Sequence, residues 1–519
     1  TSAEVPTLAA PVLEGLQAAG AHVEAPAGWD DLVAKAKAAE GWEPTLPAGF
    51  TAELRDYQRA GFAWMARLAR WAPGACLADD MGLGKTVQAL ALLAHRAELG
   101  PALIVAPTSV GFNWGREAAR FAPGLRVRAL RGPDRLAMLD GVGPGDVLVT
   151  SWDLLPRDID AIAAVRFATL VLDEAQAMKN ATTARAKAAA RVDVDFRLAL
   201  TGTPVENRVS ELWSLFRVVA PGLLGSWERF RSRFALAIER DDDQRRSAAL
   251  ARLIRPFLLR RVKSEVAKEL PPRTDVRVEV ALSREERQLY DAARATFAAQ
   301  IAEESGPPEQ RRFKVLAALT RLRQLACHPR LVDPESPMGS SKLARLVEIV
   351  AELRAEGHRA LIFSQFTRQL ALVREALAAE GVALRYLDGE TPEARRREEV
   401  DAFQRGDGDV FLISLKAGGT GLTLTAATYV IHLDPWWNPA VEDQATDRAH
   451  RIGQTQPVTV YRLVAKGTIE EKILALHGEK RALVEGLLEG TGQAATLGTD
   501  ELVALLTAAD EEPVPEDEG

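Results

Sequence analysis

The sequence predicts an α/β fold made of two parallel-sheet halves, each carrying a helical protrusion. Two series of short apolar strand candidates alternate with amphipathic helical stretches, which is the pattern of parallel sheets covered by helices. A mostly helical stretch rich in Arg and Phe separates the two series. A glycine-rich loop between an apolar strand and a helix opens the first series.

The first half is predicted to span residues 46–278. Its first strand ends at Ala78, and its later strand candidates are residues 102–106, 127–130, 146–150, 169–172 and 197–201. A helical pattern from about 206 to 270, closed by Pro271-Pro272, predicts the first protrusion. The Ala- and Pro-rich residues 1–45 are interpreted as a linker or the remnant of an upstream domain.

The second half is predicted to span residues 279–490. An alternating run at 274–282 precedes a helical segment with a Gly-Pro-Pro interruption, which predicts the second protrusion at about 283–336. The strand candidates that follow are residues 360–364, 383–387, 410–414, 429–433 and 458–463. The acidic residues 491–519 are expected to form a disordered tail.

Composition limits the classes of protein that this chain can belong to. Its 519 residues allow several cores, and its 47% hydrophobic content is ordinary for a globular protein. Cys76 and Cys327 are too few for a disulfide framework or a zinc cluster, and no apolar run reaches membrane-spanning length. We therefore expect a cytoplasmic piece of a longer protein without a membrane partner. With a net charge of −7, any nucleic-acid surface must be local.

Residues 79–86 predict a loop that holds phosphate groups. Their sequence, Asp-Asp-Met-Gly-Leu-Gly-Lys-Thr, lies between an apolar strand and a helical pattern. Glycines let backbone N–H groups approach phosphate oxygens, Lys85 would reach the β- and γ-phosphates, and the Thr86 hydroxyl would hold Mg²⁺. The strict pattern has glycine in place of Asp79. A turn that only caps a helix is the alternative, but Gly-Lys-Thr directly before a helix favours the phosphate site.

Asp173 and Glu174 end an apolar strand, and a nucleotide hydrolase needs such a carboxylate pair opposite its phosphate loop. Asp173 can hold Mg²⁺ through water, and Glu174 can orient and deprotonate the attacking water. A solvated acidic turn is the alternative interpretation. The phosphate loop upstream favours the catalytic one.

Arg448 and Arg451 are spaced to share one face of a helix, which suits a γ-phosphate. Ordinary ion pairs with Asp443 and Asp447 are the alternative. Residues 411–422 form a second strand that runs into a glycine loop, which would suit a phosphate of ATP or of nucleic acid.

Other segments are compatible with purely structural roles. The Thr201–Pro204 segment alone favours a plain turn, and Trp436 and Trp437 favour core packing over base stacking. His328 and His432 lack ligand-like spacing. A basic stretch is either a phosphate contact or a solvated face, and it comprises Arg252, Arg255, Arg260, Arg261 and Lys263.

Together these segments resemble the SWI/SNF-type ATPases of helicase superfamily two over residues 50–480. The resemblance covers the general helicase motifs and the more specific pieces around the two protrusions. The matching segments are LRDYQ at 54–58, DDMGLGKT at 79–86, DEAQ at 173–176, LTGTPVEN at 200–207, LRRVKSEV at 259–266, CHP at 327–329, IFSQF at 362–366, GGTGL at 418–422, DPWWNP at 434–439 and DRAHRIGQ at 447–454.

The resemblance implies two RecA-like lobes, Mg²⁺-ATP between them, and translocation along double-stranded DNA without strand separation. The implied catalytic residues are Lys85, Asp173, Glu174, Arg448 and Arg451. Thr86 and Asp173 would hold Mg²⁺. The implied nucleotide contacts are Arg55, Gln58, Asp80, Met81, Gly82, Leu83, Gly84, Lys85, Thr86, Gln176 and Gly421. The implied nucleic-acid contacts are Pro107, Thr108, Asn113, Trp114, Thr150, Ser151, Ser364, Gln365, Ser414, Lys416, Gly418 and Gly419.

The short protrusions and the absence of tail modules resemble a bacterial member, which is expected to act as a monomer in the nucleoid. Gln176 stands where histidine is common, and no chromatin-reading module is visible. Two other functions stay open at this point. One is a nucleotide-gated switch that acts on a protein partner such as RNA polymerase, and the other is an RNA-stimulated ATPase.

Overall fold

In the first unit, seven parallel strands form one sheet in the order β3-β4-β2-β5-β6-β1-β7. The computed structural model describes residues 8, 28–108, 111–205, 208–241, 243–267, 269–303, 308–418 and 422–476. Those up to Glu269 belong to the first compact unit and those from Leu270 to the second. The strands of the first unit are β1 Gly74–Leu77, β2 Ala102–Ala106, β3 Arg126–Ala129, β4 Asp146–Ser151, β5 Phe167–Asp173, β6 Val194–Leu200 and β7 Leu258–Leu259.

The central strands of this sheet are buried on both faces, because helices cover both sides of a parallel sheet. Every residue of β1, β2 and β4 is buried. The register pairs Leu77 of β1 and Asp173 of β5 with Leu200 of β6, so the loops after these three strands leave the sheet at one level. The predicted phosphate loop and acidic pair therefore meet at the same edge of the sheet.

The helices of the first unit fall into a group that covers the sheet and a group inserted between β6 and β7. The first group is α1 Trp29–Glu40, α2 Asp56–Leu68, α3 Lys85–His95, α4 Gly111–Phe121, α5 Leu155–Ile162 and α6 Ala184–Arg191. The inserted group, with a short helix after β7, is α7 Val209–Val219, α8 Trp227–Phe230, α9 Leu236–Asp241, α10 Gln244–Ile254 and α11 Lys263–Val266. The insertion matches the predicted first protrusion, but the strand β7 inside that range was not predicted.

The described part of the predicted linker belongs to the first unit. Helix α1 buries Trp29 at 3% exposure, and the Trp42 ring lies beneath the guanidinium of Arg70 at 4.4 Å. Trp42 and Leu46 pack against the core of the first unit. Interpreting residues 28–45 as a linker is therefore wrong, and residues 1–7 and 9–27 lie outside the described residues.

The second unit contains six parallel strands in the order β10-β11-β9-β12-β13-β8. They are β8 Arg273–Val280, β9 Ala360–Ser364, β10 Leu384–Leu387, β11 Val410–Ser414, β12 Tyr429–His432 and β13 Val458–Ala465. Strand β8 pairs along its whole length with β13. The boundary predicted between 278 and 279 falls inside this strand, so residues from Leu270 belong to the second unit.

The helices of the second unit include a long pair that forms the predicted second protrusion. This pair is α12 Arg284–Ala302 and α13 Pro308–Cys327, and the remaining helices are α14 Ser341–Ala355, α15 Thr367–Ala379, α16 Glu393–Gln404, α17 Leu415–Gly418 and α18 Pro439–Thr446. Among the described residues, no helix combines the length and apolar character needed to cross a membrane. The predicted tail at 491–519 lies outside the described residues.

Candidate nucleotide and nucleic-acid site

The phosphate loop of the first unit curls around the side chain of Lys85. The Lys85 Nζ donates hydrogen bonds to the backbone oxygens of Asp79 at 2.5 Å and Asp80 at 3.2 Å. Lys85 is the first residue of α3, and Thr86 follows it, so both lie at the positive end of a helix dipole. Burial lowers the pKa of Lys85, although the carboxylates of Glu174, Asp79 and Asp173 act in the opposite direction.

Close contacts or a positive φ require glycine at positions 82, 84 and 202, in and beside the phosphate loop. Gly82 and Gly84 have φ values of 84° and 77°, which disfavour other residues. A Cβ on Gly84 would also lie 2.4 Å from the Gln58 side-chain nitrogen. A Cβ on Gly202, in the loop after β6, would lie 2.8 Å from the Met81 side chain. The loop after β6 therefore packs directly on the phosphate loop.

The LRDYQ segment at 54–58, called here the base-recognition segment because the family resemblance implies that Gln58 contacts the adenine base, is attached to the same loop. The Gln58 side-chain nitrogen and the Tyr57 hydroxyl both donate to the Leu83 backbone oxygen, at 3.1 and 3.0 Å. The Gln58 side-chain oxygen accepts from the backbone N–H of Arg55 at 3.1 Å. Arg55 forms an ion pair with Glu269. Leu83 is fully buried and so acts through its backbone.

Asp173 is held by a residue that was predicted to contact DNA. The Trp114 indole N–H donates to Asp173 Oδ2 at 2.9 Å, and the Glu174 N–H donates to Oδ1 at 3.0 Å. Trp114 is 1% exposed, so its side chain packs inside the first unit and does not face solvent, where the predicted DNA contact would lie. Burial, followed by the neighbouring charge of Glu174, raises the pKa of Asp173 to about 7.

Glu174 has a backbone conformation that is rare for its residue type. Its φ of 50° is the one positive value among the described non-glycine residues, and such strain is concentrated at functional sites. The Gln176 amide donates to Glu174 Oε2 at 2.7 Å and accepts from the Thr201 hydroxyl at 2.9 Å. Gln176 thus connects the acidic pair to the loop after β6, whose Thr203 N–H donates to the Thr201 hydroxyl.

The donor set of the first unit fits Mg²⁺. Carboxylate and hydroxyl oxygens are the ligands that this cation prefers, and Asp173 and Thr86 supply one of each. The raised pKa of Asp173 reflects two adjacent carboxylates at a buried position, which a divalent cation would compensate. Among the described residues, no cluster of three or more His, Cys, Asp or Glu forms a separate metal site.

The basic stretch that follows the first insertion is divided between solvent and the phosphate loop. Arg252 and Arg255 are exposed. Arg261 instead donates to Asp79 through Nε at 2.8 Å and Nη2 at 2.5 Å. This pairing explains the departure from glycine at Asp79. No local pattern predicts this pairing, because 182 positions separate the partners.

The other predicted nucleic-acid contacts of the first unit differ in exposure. The side chains of Thr150 and Ser151 are buried. Asn113 donates to Glu117 at 2.6 Å and accepts from Arg116 at 3.0 Å on helix α4. Pro107 and Thr108 lie at the carboxyl end of β2, and the backbone oxygen of Thr108 accepts from Arg131 at 2.7 Å.

Arg323 of helix α13 joins the loop after β9, which was predicted to contact DNA, to the tryptophan-containing loop after β12. It is 2% exposed and donates to Gln365 Oε1 at 3.0 Å and to the Pro435 backbone oxygen at 2.6 Å. Its guanidinium lies 3.8 Å from Asp434, whose carboxylate accepts from Ser364. The rings of Phe366, Trp436 and Trp437 surround it at 5.7, 5.4 and 5.6 Å. The prediction that both tryptophans pack structurally is confirmed, whereas the role of Arg323 was missed.

A second buried ion pair, between Lys342 and Glu470, lies beside Cys327 of the Cys-His-Pro segment. Lys342 Nζ donates to Glu470 and, at 3.0 Å, to the Leu433 backbone oxygen. The Cys327 thiol lies 3.7 Å from Glu470, and His328 Nδ1 accepts from the Arg330 N–H.

The other predicted structural histidine, His432, lies at the end of strand β12. Burial lowers the pKa of His432 to about 4, so this ring is neutral. The structural interpretation of both histidines is confirmed.

Arg448 and Arg451 do not share a helix face. Helix α18 ends at Thr446, because the chain turns at residues 447–450. Arg448 is 4% exposed, and Arg451 donates to the Leu422 backbone oxygen at 3.1 Å. The helical premise of the prediction is therefore wrong, although both side chains lie in one short segment.

The remaining predicted contacts of the second unit lie around the loop after β11. The side chain of Ser414 is buried and accepts from the Ala417 N–H at 3.3 Å. Lys416 and Gly418 belong to helix α17. Gly419 and Gly421 lie outside the described residues.

Comparison with known families identifies two matching regions. The family model described as "SNF2-related domain" matches residues 57–331. The model described as "Helicase conserved C-terminal domain" matches residues 341–453.

Similar proteins occur in bacteria and eukaryotes. A Bacillus subtilis protein named "Putative ATP-dependent helicase/translocase YwqA" is 41% identical over 492 residues, covering 92% of this chain and 53% of that protein. A human SWI/SNF-related regulator of chromatin, subfamily A member 1, is 36% identical over 443 residues, covering 81% of this chain and 42% of its own length. The chain spans about half the length of the curated relatives that it matches.

A solved structure, the Sulfolobus solfataricus SWI2/SNF2 ATPase core in complex with double-stranded DNA, is 34% identical to this chain. The match covers 88% of this chain and 100% of the other, with a TM-score of 0.45.

Proposed function

This chain belongs to the SNF2-related family of helicase-like ATPases, and on that premise we propose that it is an ATP-driven translocase on double-stranded DNA. It would hydrolyse ATP to ADP and phosphate and move along the duplex, or displace bound proteins, without separating the strands. One observation carries the proposal. In the first unit, Leu77 before the phosphate loop of Lys85 and Asp173 of the acidic pair both lie beside Leu200 of β6, so the loop and the acidic pair leave the sheet at one level.

Each group of this cluster has a role in hydrolysis. Lys85 contacts the phosphates, and the N–H groups at the start of helix α3 bind their oxygens. Asp173 and Thr86 would hold Mg²⁺, which would neutralise phosphate charge. Glu174 orients the attacking water and accepts its proton. Gln176 holds the Glu174 carboxylate and transmits its position to Thr201.

The second unit carries the remaining groups of the proposed cycle. Arg448 and Arg451 act as arginine fingers that stabilise charge on the transferred phosphoryl group. The loops after β9 and β11 contact the DNA backbone, which carries no sequence information. DNA binding thereby raises the rate of hydrolysis.

The rate of ATP hydrolysis with different nucleic acids tests this proposal. We compare no nucleic acid, single-stranded DNA, duplex DNA and RNA of equal length, at low and high salt. The expected result is stimulation chiefly by duplex DNA that falls as salt rises, because phosphate contacts dominate the binding. Stimulation chiefly by RNA, or equal rates in all arms, would contradict the proposal. The Glu174→Gln variant is the matched control for contaminating ATPases.

A further inference from the structure

All three nitrogens of the Arg261 guanidinium donate hydrogen bonds to residues of the predicted nucleotide-binding region. Nε and Nη2 donate to the two carboxylate oxygens of Asp79 at 2.8 and 2.5 Å, and Nη2 also donates to Gln88 Oε1 at 2.8 Å. Nη1 donates to the backbone oxygen of Tyr57. A planar, bidentate arrangement of this kind suits arginine and does not suit lysine.

Asp79 depends on this partner. Its side chain is fully buried, and a buried carboxylate is costly unless a cation and hydrogen bonds compensate it. Gln88 adds one hydrogen bond, at 3.2 Å. The backbone oxygen of Asp79 is the one that accepts the Lys85 ammonium at 2.5 Å. A displacement of Asp79 therefore displaces the oxygen that orients Lys85.

The backbone around Arg261 runs alongside the start of the phosphate loop. The Ala78 N–H donates to the Leu259 oxygen at 2.7 Å, and the Asp80 N–H donates to the Arg261 oxygen at 2.9 Å. The Lys263 N–H donates to the Asp80 carboxylate at 3.0 Å. This segment is the first that follows the helical insertion, so the chain that leaves the insertion contacts the phosphate loop directly.

The same guanidinium reaches the base-recognition segment. It lies 5.1 Å from the centre of the Tyr57 ring, whose hydroxyl donates to the Leu83 oxygen of the phosphate loop. Gly61 makes room for it, because a Cβ there would lie 2.1 Å from the Gln88 side-chain oxygen and 2.7 Å from Arg261 Nη2. Arg261 thus joins both segments that are predicted to bind the nucleotide.

We propose that Arg261 is a positioning residue for nucleotide binding. By holding the Asp79 carboxylate and the Tyr57 backbone at once, it fixes the phosphate loop against the base-recognition segment. The affinity for ATP then depends on the position of the segment around Arg261, which follows the first helical insertion. This inference rests on the proposed function only in taking ATP as the ligand.

Equilibrium binding of a fluorescent ATP analogue with Mg²⁺, without DNA, tests this inference on the full chain. We expect Arg261→Lys to weaken binding by about tenfold, because a point charge cannot replace the bidentate contact. Arg252→Lys is the matched control, since Arg252 belongs to the same basic stretch but is exposed and, among the described residues, donates to the Ala248 oxygen on its own helix. It should bind like the unchanged protein.

Steady-state hydrolysis separates positioning from loss of folded protein. Arg261 does not contact Asp173 or Glu174 in the hydrogen bonds described, so KM for ATP should rise about tenfold while kcat stays within about threefold. Partial unfolding would instead lower kcat and the binding stoichiometry together, with KM unchanged. The Asp79→Asn/Arg261→Lys double variant should lose no more affinity than the worse single variant, because residues in one network are not additive.

The outcomes distinguish this inference from the proposed function. Equal ATP affinity in Arg261→Lys and Arg252→Lys would overturn the inference, as would a fall in stoichiometry alone. Failure of the unchanged protein to bind ATP would overturn the proposed function instead. Absence of stimulation by duplex DNA would also count against the proposed function, while the binding comparison would still decide the role of Arg261.

Discussion

In each unit an arginine that is largely shielded from solvent holds loops at the carboxyl edge of the sheet, but the two arginines have different partners. Arg261 in the first unit makes a bidentate ion pair with Asp79 at 2.8 and 2.5 Å. Arg323 in the second unit lies 3.8 Å from Asp434 and is surrounded by three aromatic rings. The first arginine neutralises a carboxylate beside the predicted phosphate site, whereas the second lies at the centre of a group of aromatic side chains.

This difference indicates that the two units contribute differently to one activity. In the first unit the buried charges surround the predicted nucleotide contacts, so changes there should alter binding and chemistry. In the second unit the buried charge joins helix α13 to the loops after β9 and β12, so changes there should alter stability. Four substitutions test this division, in order of decreasing expected effect.

The largest effect is expected for Arg451→Ala. Removal of an arginine finger lowers turnover by about 10³-fold in enzymes of this kind. We expect this loss in DNA-stimulated hydrolysis, with ATP affinity unchanged because the phosphate loop lies in the first unit. Stimulated turnover near that of the unchanged protein would exclude Arg451 as a finger.

Arg323→Gln should destabilise the second unit. The change leaves Asp434 buried without its nearest described guanidinium, and breaking a buried pair in this way costs about 3–5 kcal/mol. Thermal unfolding measures the effect, with Arg321→Gln as the control because Arg321 is exposed on the same helix. ATP affinity measured below the unfolding transition should not change. An unchanged melting temperature would show that the aromatic rings, rather than the charge, hold these loops.

Trp114→Phe should slow hydrolysis without weakening DNA binding. The substitution keeps the buried ring but removes the hydrogen bond to Asp173, and a hydrogen bond to a charged group is worth about 1.5–3 kcal/mol. We expect kcat to fall by about 10–100-fold. Trp213→Phe is the control, since its indole N–H donates to the Gly225 oxygen on the insertion. A change in DNA affinity with an unchanged kcat would restore the predicted DNA contact.

The smallest effect is expected for Asp275→Asn on strand β8, as a change in how the stability of the protein depends on pH at the acid end. Burial raises the pKa of this carboxyl, but hydrogen bonds and charge from Arg273 and Arg462 outweigh it and lower the pKa to about 2. Because the folded-state pKa is below the unfolded value of about 3.9, the stabilisation is present above pH 4 and is lost as pH falls toward 2. Melting temperatures of Asp275→Asn should therefore vary less over this range than those of the exposed control Asp401→Asn.

The central strands were predictable because a parallel strand buried on both faces is a continuous apolar run. The bounds of Ala102–Ala106, Ala360–Ser364 and Val410–Ser414 agree with the prediction. Strand β7 was missed because two leucines carry no periodicity. The packing of helix α1 on the first unit was missed because its Ala-rich sequence resembles a linker.

Within the site, local motifs were predictable and long-range partners were not. The glycine loop and the acidic pair each lie in one short segment, so their chemistry is visible in the sequence. The partners of Asp79 and Asp434 come from distant segments, which only the fold brings close. Trp114 was assigned to DNA by resemblance, yet its burial depends on packing that no motif encodes.

Displacement of a third DNA strand tests the central proposal most directly. A short third strand is bound to a long duplex, and its release is followed with the unchanged protein and with Glu174→Gln. The account predicts ATP-dependent release by the unchanged protein alone, with the duplex intact. ATP hydrolysis stimulated by duplex DNA without release of the third strand, or release accompanied by separation of the duplex, would contradict it.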